Sequence, residues 1–224
     1  YAALACIAIQ ANQNEMHGGQ SVPNFDYAMA LGVKKTFRKQ YFSALTQYFE
    51  VRHNMAHADA AGLAEAVRTA LGGDVTIGTA KAYAQRVEEF LPRHQRENGF
   101  EEIIAEEARD AADYAERTAW RETDNATKQA MEALVHNLNT MNSRAGAQVP
   151  FSSLNYGTDT SPEGRMAVRN LLDATEAGLG DGETPIFPVQ IFKVKEGVNY
   201  NEGDPNYDLF KHCLLYTSPS PRDA

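Results

Sequence analysis

Residues 148 to 194 run strand, capped helix, strand, and that order constrains the fold more than any other feature of the chain. "QVPFSSLNYG" (148–157) carries β-type residues and ends in a turn. "TSPEG" then opens a helix, with Ser161 as N-cap and Pro162 at the first helical position, where a missing N–H is no loss. The helix runs through Met166, Leu171 and Leu172 to Gly178 and Gly180, and "TPIFPVQIFKV" (184–194) follows as an apolar strand of the buried kind. Strand, helix, strand in succession predicts a parallel α/β unit.

Before Ala147 the periodicity is almost wholly helical. Residues 2 to 16 read as a helix leading to a turn at Gly18-Gly19. Asn24 or Asp26 can cap the next helix, where Val33, Phe37, Tyr41, Leu45 and Phe49 recur every four residues as one apolar stripe. Residues 52 to 60 read as a junction. Asp59 can cap a helix carrying Leu63, Val67 and Leu71 that ends at Gly72-Gly73. Thr79 to Leu91 reads as a helix stopped by Pro92. "GFEEIIAEEARDAADYAERTAW" is strongly helical, with Ile103, Ile104, Ala108, Ala111 and Ala115 expected inside. A further helix carries Met131, Leu134, Val135, Leu138 and Met141.

Composition narrows the function classes. With 43% hydrophobic and 23% charged residues the chain is of globular type, and no apolar run approaches the ~18 residues of a membrane span. A net charge of −9 argues against a protein that coats nucleic acid, though a nucleotide pocket needs only a few local cations. Cys6 and Cys213 offer neither metal spacing nor a disulfide framework, so a reducing, cytoplasmic setting is expected. The chain begins at Tyr1 rather than Met and is read as a fragment.

Three segments carry candidate chemistry. "HGGQS" (His17, Gly18, Gly19, Gln20, Ser21) is either a helix–helix turn or a backbone that a phosphate or sugar approaches closely; P-loop spacing is absent. Lys34, Lys35, Arg38 and Lys39 form either a solvated helix face or a grip on nucleotide phosphates. In "NSRAGAQVPFSSLNYG", alternation puts Gln148, Pro150 and Ser152 on one strand face and Phe151 and Ser153 on the other. Small polar residues there, with Asn155, suit a polar substrate or the solvation of an edge strand. Glu183 and Glu196 stand at opposite ends of a strand and read as capping or ion-paired groups rather than an acid–base pair. Of the histidines only His53 and His57 have ligand-like spacing, without an HExxH core, so no metal ligand is assigned. Cys6 reads as a buried core thiol.

The tail "CLLYTSPSPRDA" changes character abruptly. Codons can be written for Cys213–Asp223 that spell a transposase-type sequencing adaptor read in one frame. On that reading the natural chain breaks near His212; the other reading is a Pro/Ser-rich disordered tail.

"EMHGGQSVPNFDYAMALGV", "HNLNTMNSRAGAQVPFSSLNYGTDTSPEGRMAVRNLL" and "ATEAGLGDGETPIFPVQIFKVKEGVNYN", continuing into "DPNYDLFK", together resemble the catalytic subunit of the anaerobic, class III ribonucleoside-triphosphate reductases, which are glycyl-radical enzymes. The likeness is most specific over 130–211 and 12–42 and rests on helix pattern alone between 52 and 120.

The resemblance implies an α/β fold, part of a ten-stranded glycyl-radical-enzyme barrel, with this fragment mostly helical and holding a few parallel strands. It implies a division into 1–146 (dimer and effector helices with the HGGQS loop), 147–212 (first α/β barrel units) and 213–224 (artefactual tail). The reaction implied converts ribonucleoside triphosphates to deoxyribonucleoside triphosphates. A glycyl radical, installed by an S-adenosylmethionine iron–sulfur activase, generates a thiyl radical, and formate is the reductant. The radical glycine, the thiyl cysteine and the zinc-binding cysteines would lie beyond "DPNYDLFK". A second active-site cysteine and any ATP-cone would lie before Tyr1. Neither Cys6 nor Cys213 matches a catalytic motif, so no catalytic residue is assigned and the fragment alone is expected to be inactive.

Read through the resemblance, His17, Gly18, Gly19, Gln20 and Ser21 with Gln148, Ser152, Ser153 and Asn155 are substrate-binding candidates, and Lys34, Lys35, Arg38 and Lys39 are candidates for dNTP or ATP effectors. The expected partners are nucleotides, the activase and a second copy in a homodimer, without nucleic acid or membrane. A pyruvate formate-lyase-like enzyme would share the barrel but not the three segments. A non-catalytic helical interaction or nucleotide-sensing module would account for residues 1–142 alone.

Overall fold

The computed structural model describes residues 1–16, 18–98, 103–142, 148–180 and 183–217. The described chain is mostly helical, with helices α1 (Ala2–Glu15), α2 (Phe25–Arg52), α3 (His57–Leu71), α4 (Ala80–Asn98), α5 (Ala105–Thr140), α6 (Pro162–Ala177) and α7 (Tyr207–Thr217). Strands β1 (Gln20–Val22), β2 (Ser152–Tyr156) and β3 (Val189–Phe192) form a parallel sheet in the order β1-β2-β3. No helix among the described residues is long and apolar enough to cross a membrane. Two compact units result, Tyr1–Val33 with Ala126–Ala224, and Lys34–Asn125; α2 and α5 contribute residues to both.

The Lys34–Asn125 unit is built on the stripe predicted for α2. Phe37, Tyr41, Leu45 and Phe49 are all buried, in one core with Leu63, Val67, Val87, Leu91 and the alanines of α5. Each large side chain so buried contributes about 1.5–3 kcal/mol. Tyr41 meets Tyr83 edge to face at 5.5 Å, and the Tyr83 hydroxyl donates to the Gly72 carbonyl at 2.7 Å, satisfying the end of α3. Gly72 itself takes φ +79 with ψ 149 there, a backbone conformation that glycine alone adopts without strain.

Several sequence expectations need correcting. Asp59 does not cap α3; the helix starts at His57 behind Ala56, which leaves Asp59 in its first turn, where a negative charge still suits the helix dipole. Pro92 does not stop α4, which continues to Asn98. An interior proline costs about 3 kcal/mol, but Tyr83, Val87 and Leu91 on the same helix are buried and outweigh it. The two helices expected between 105 and 141 are one, α5, running straight through "TDNATK". Thr123 and Thr127 in that stretch are buried, so packing overrides their modest helix propensity. Ile103 is buried as expected, whereas Ile104 is exposed and both precede the helix.

In the unit holding the sheet, α6 starts as predicted: the Ser161 hydroxyl accepts from Gly164 N at 3.1 Å, and Pro162 occupies the first turn. β2, α6 and β3 form the expected parallel βαβ unit. β3 is not the buried strand its composition suggests. Val189 and Ile191 are exposed, because β3 is the edge strand and nothing among the described residues covers that face. β1 is a strand where a turn was expected; its three residues are too few for a periodic signal.

Candidate functional site

β1 forms because Gly18, at φ +110, redirects the chain after α1. Gln20, Ser21 and Val22 then pair in register with Ser152, Ser153 and Leu154, and Gln20 N donates to the Phe151 carbonyl at 2.8 Å. Candidate residues from the start of the chain and from its middle thus become strand neighbours. Alternation divides them between two faces. Gln20, Val22, Ser152, Leu154 and Tyr156 share the covered face, where the last three are buried. Ser21, Ser153 and Asn155 share the open face with Val189 and Ile191.

On the open face the Ser21 hydroxyl donates to Asn155 Oδ1 at 3.3 Å, leaving the Asn155 amide donors without a partner among the described residues. At the amino ends of the strands a groove of about 300 Å³ is lined by Gly19, Gln20, Ser21, Phe151, Ser152, Ser153, Phe187 and Val189. Phe151 and Phe187 meet edge-on at 4.9 Å and give it an apolar side. The Ser152 hydroxyl is buried there with no partner among the described residues. A Cβ added to Gly19 would lie 3.6 Å from the Phe151 carbonyl, ordinary contact, so the fold itself tolerates a side chain at that position.

The structure therefore brings Gly19, Gln20, Ser21, Ser152, Ser153 and Asn155 together but separates them by face. Gln148 is exposed and does not line the groove. His17, Ser143 and Arg144 lie outside the described residues. Asn139, which sequence reasoning passed over, sets one wall of the groove: its Oδ1 accepts from Ile186 N (2.9 Å) and Phe187 N (3.0 Å), and its amide donates to the Val135 and Phe187 carbonyls. Nothing local distinguishes it from the other asparagines of "HNLNTMN".

The carboxyl ends of the three strands are closed by polar side chains. Asp26, fully buried in the first turn of α2, does more than cap. Its Oδ2 accepts from Gly157 N, Thr158 N and Asp159 N, each at 2.9 Å, and its Oδ1 from Tyr27 N. Asn206 Nδ2 donates to the Gly157 and Asp159 carbonyls, and Asn199 Nδ2 to those of Gly157 and Lys193. Lys193 Nζ reaches back to the Pro23 carbonyl and Asn24 Oδ1. All three strand-to-helix loops are tied to one another.

The four cations of the α2 cluster lie in the other unit. Arg38 pairs with Asp74 at 2.6 Å. Lys34, Lys35 and Lys39 make no ion pair among the described residues, and Lys35 and Lys39 are exposed. The same unit holds a groove of about 410 Å³ between α2 and α5, lined by Tyr48, Arg52, Asp110, Asp113, Tyr114 and Arg117 among others, which the sequence did not single out. Burial, then the Asp110 charge, raises the Tyr48 hydroxyl pKa. His57 is paired with Glu50 at 2.5 Å, and Glu183 and Glu196 are both exposed. The Cys6 thiol is buried, and burial pushes its pKa up, which makes it a poor nucleophile.

Residues 1–220 match the family model described as anaerobic ribonucleoside-triphosphate reductase. Among curated proteins, anaerobic ribonucleoside-triphosphate reductases from Haemophilus influenzae (38% identical over 86 residues, 38% of this chain and 12% of that protein) and Escherichia coli (36% over 86 residues, 38% and 12%) are similar to it. So is the one from Enterobacteria phage T4, 39% identical over 106 residues, 47% of this chain and 17% of that protein. The matched stretch is thus less than a fifth of each of these relatives.

Proposed function

The chain belongs to the anaerobic ribonucleoside-triphosphate reductase family, and from that premise we propose that its sheet supplies part of the wall against which a ribonucleoside triphosphate is held for reduction to the deoxyribonucleotide. The observation that carries this reading is the β1–β2 pairing. It sets Ser21, Ser153 and Asn155 side by side on the one sheet face that no described helix covers, next to the groove at Gly19. Hydroxyl and amide donors on a rigid strand pair suit the hydroxyls of a ribose or the oxygens of a phosphate, and the glycine lets either approach the backbone. Ser152 belongs to the covered face and its hydroxyl is buried, so it helps to shape the groove and does not donate to a ligand on the open face.

In this reading the three strands belong to a larger barrel, β3 pairs onward along its open edge, and 147–212 contributes the first α/β units. The radical glycine, the thiyl cysteine, the zinc-binding cysteines and the contact with the activase belong to parts of the protein outside this chain. They supply the hydrogen abstraction, with formate as reductant. The residues present bind and orient substrate. Lys34, Lys35 and Lys39 are proposed to meet the phosphates of a dNTP or ATP effector in a homodimeric enzyme. Arg38 is less available, being engaged by Asp74.

The test is nucleotide binding by the 224-residue chain and its Gly19→Val variant, followed by calorimetry with a ribonucleoside triphosphate. The substitution fills the groove without a backbone penalty, since Gly19 does not adopt a left-handed φ. Binding should weaken by about tenfold or more while the melting temperature holds. Undiminished affinity in the variant sinks the groove assignment. Micromolar dNTP binding that depends on Lys35 and Lys39, with no ribonucleotide binding at the groove, would favour a nucleotide-sensing module instead.

A further inference from the structure

Asp173, Glu176 and His212 meet on the surface of the unit that holds the sheet. Asp173 and Glu176 are neighbours at i,i+3 on α6, and His212 reaches them from α7, which packs on α6. His212 Nε2 lies 3.5 Å from Asp173 Oδ1 and 3.4 Å from Glu176 Oε2. One donor atom from each residue falls within 4.8 Å of the other two. We propose that these three side chains form a binding site for a divalent transition cation of the zinc class, which bridges α6 to α7.

The spacing leaves room for an ion as well as for direct pairing of His212 with the two carboxylates. A tetrahedral cation with bonds of about 2.1 Å holds its ligands about 3.4 Å apart, which matches both distances from the imidazole, whereas a strong N–H···O contact is nearer 2.8 Å. The helices are also fixed before any ion arrives. Arg165 on α6 pairs with Asp208 of α7 at 2.7 Å and donates to Asn206 Oδ1 at 2.8 Å, so the imidazole is presented by a braced element. His212 is 28% exposed in its side chain and the two carboxylates 46% and 64%, so the remaining coordination positions are open to water and the ion has a path in. One imidazole with two carboxylates selects borderline cations over calcium and magnesium, which prefer oxygen alone.

The experiment is a zinc chloride titration of the 224-residue chain in a chelator-free buffer, by calorimetry and by thermal melting. One equivalent should bind in the micromolar range, and saturation should raise the melting temperature by roughly 3 °C or more. His212→Ala, Asp173→Asn and Glu176→Gln should each weaken binding by about tenfold or more. The two carboxamide variants keep the size of exposed side chains, so their melting temperature in EDTA should equal that of the parent. Cys213→Ser should bind as the parent does, because the Cys213 side chain hydrogen-bonds to Tyr156. Millimolar excess of magnesium should not displace the zinc. The site is overturned by absent binding, by binding that survives His212→Ala undiminished (an ion held by another histidine), by loss in Cys213→Ser, or by displacement with magnesium.

Discussion

The carboxyl end of the sheet and its open face use similar residue types to opposite ends. At the carboxyl end Asp26, Asn199 and Asn206 are buried and their polar atoms meet backbone groups of the adjoining loops. On the open face Ser21, Ser153 and Asn155 have one mutual hydrogen bond and retain donors for something else. In open α/β sheets ligands usually settle beyond the carboxyl ends of the strands, where successive backbone N–H groups form anion nests. Here that nest exists, at Gly157 to Asp159, and the Asp26 carboxylate already fills it. The usual address is occupied from within, so the sheet's uncommitted polar groups are on its face and at its amino end.

The contrast can be broken most sharply at Asp26. Asp26→Ala strands three N–H groups at once, those of Gly157 and Asp159 buried and that of Thr158 half-buried, and should cost about 4 kcal/mol, read as a drop in the urea midpoint; a loss below about 1 kcal/mol would mean the loops hold without it. Asn206→Ala comes next, at about 2 kcal/mol, because Asp159 O loses its donor while Gly157 O keeps Asn199. The open face should behave differently. Ser21→Ala with Asn155→Ala should leave stability within about 0.5 kcal/mol and weaken ribonucleotide binding severalfold in calorimetry. A large loss of stability there would erase the distinction.

The smallest effect sharpens the comparison through pH. Burial tends to raise the Asp208 carboxyl, but the Arg165 hydrogen bond and charge, with backbone N–H donors, lower it on balance. A lowered folded-state pKa makes its contribution present above the ordinary Asp value of about 3.9 and lost as pH falls through the lowered value. The side chain is 57% exposed, so solvent screening keeps the effect slight. The stability difference between parent and Asp208→Asn should be flat above about pH 4 and shrink below it; a difference that grows in acid contradicts the assignment.

What was legible in the sequence was what neighbours along the chain decide. The α2 stripe, the Ser161–Pro162 start of α6 and the βαβ order of 148–194 all follow from spacing and capping. β1 was not legible, since three residues become a strand only when a partner distant in sequence arrives. Asp26 could be seen as a cap but not as the acceptor for another loop. Two helices were read between 105 and 141 where one runs, because their apolar patterns were taken separately and the packing that buries Thr123 and Thr127 between them is not visible in the sequence. At the candidate site, composition singled out the strand around Ser152, yet its two faces could be told apart only once β1 and β3 gave Ser152 and Ser153 different surroundings.

The tie between Lys193 and Pro23 also sets a clock. Synthesis at about 5–20 residues per second puts roughly 10–30 s between the emergence of those two residues from a ribosome. The Lys34–Asn125 helices share one core and have all been made before β2, so they can settle within that interval. β1 cannot, and "GQSV" waits as an unpaired edge until β2 has been made. During translation, then, that short stretch stands exposed to passing strands until its partner is made.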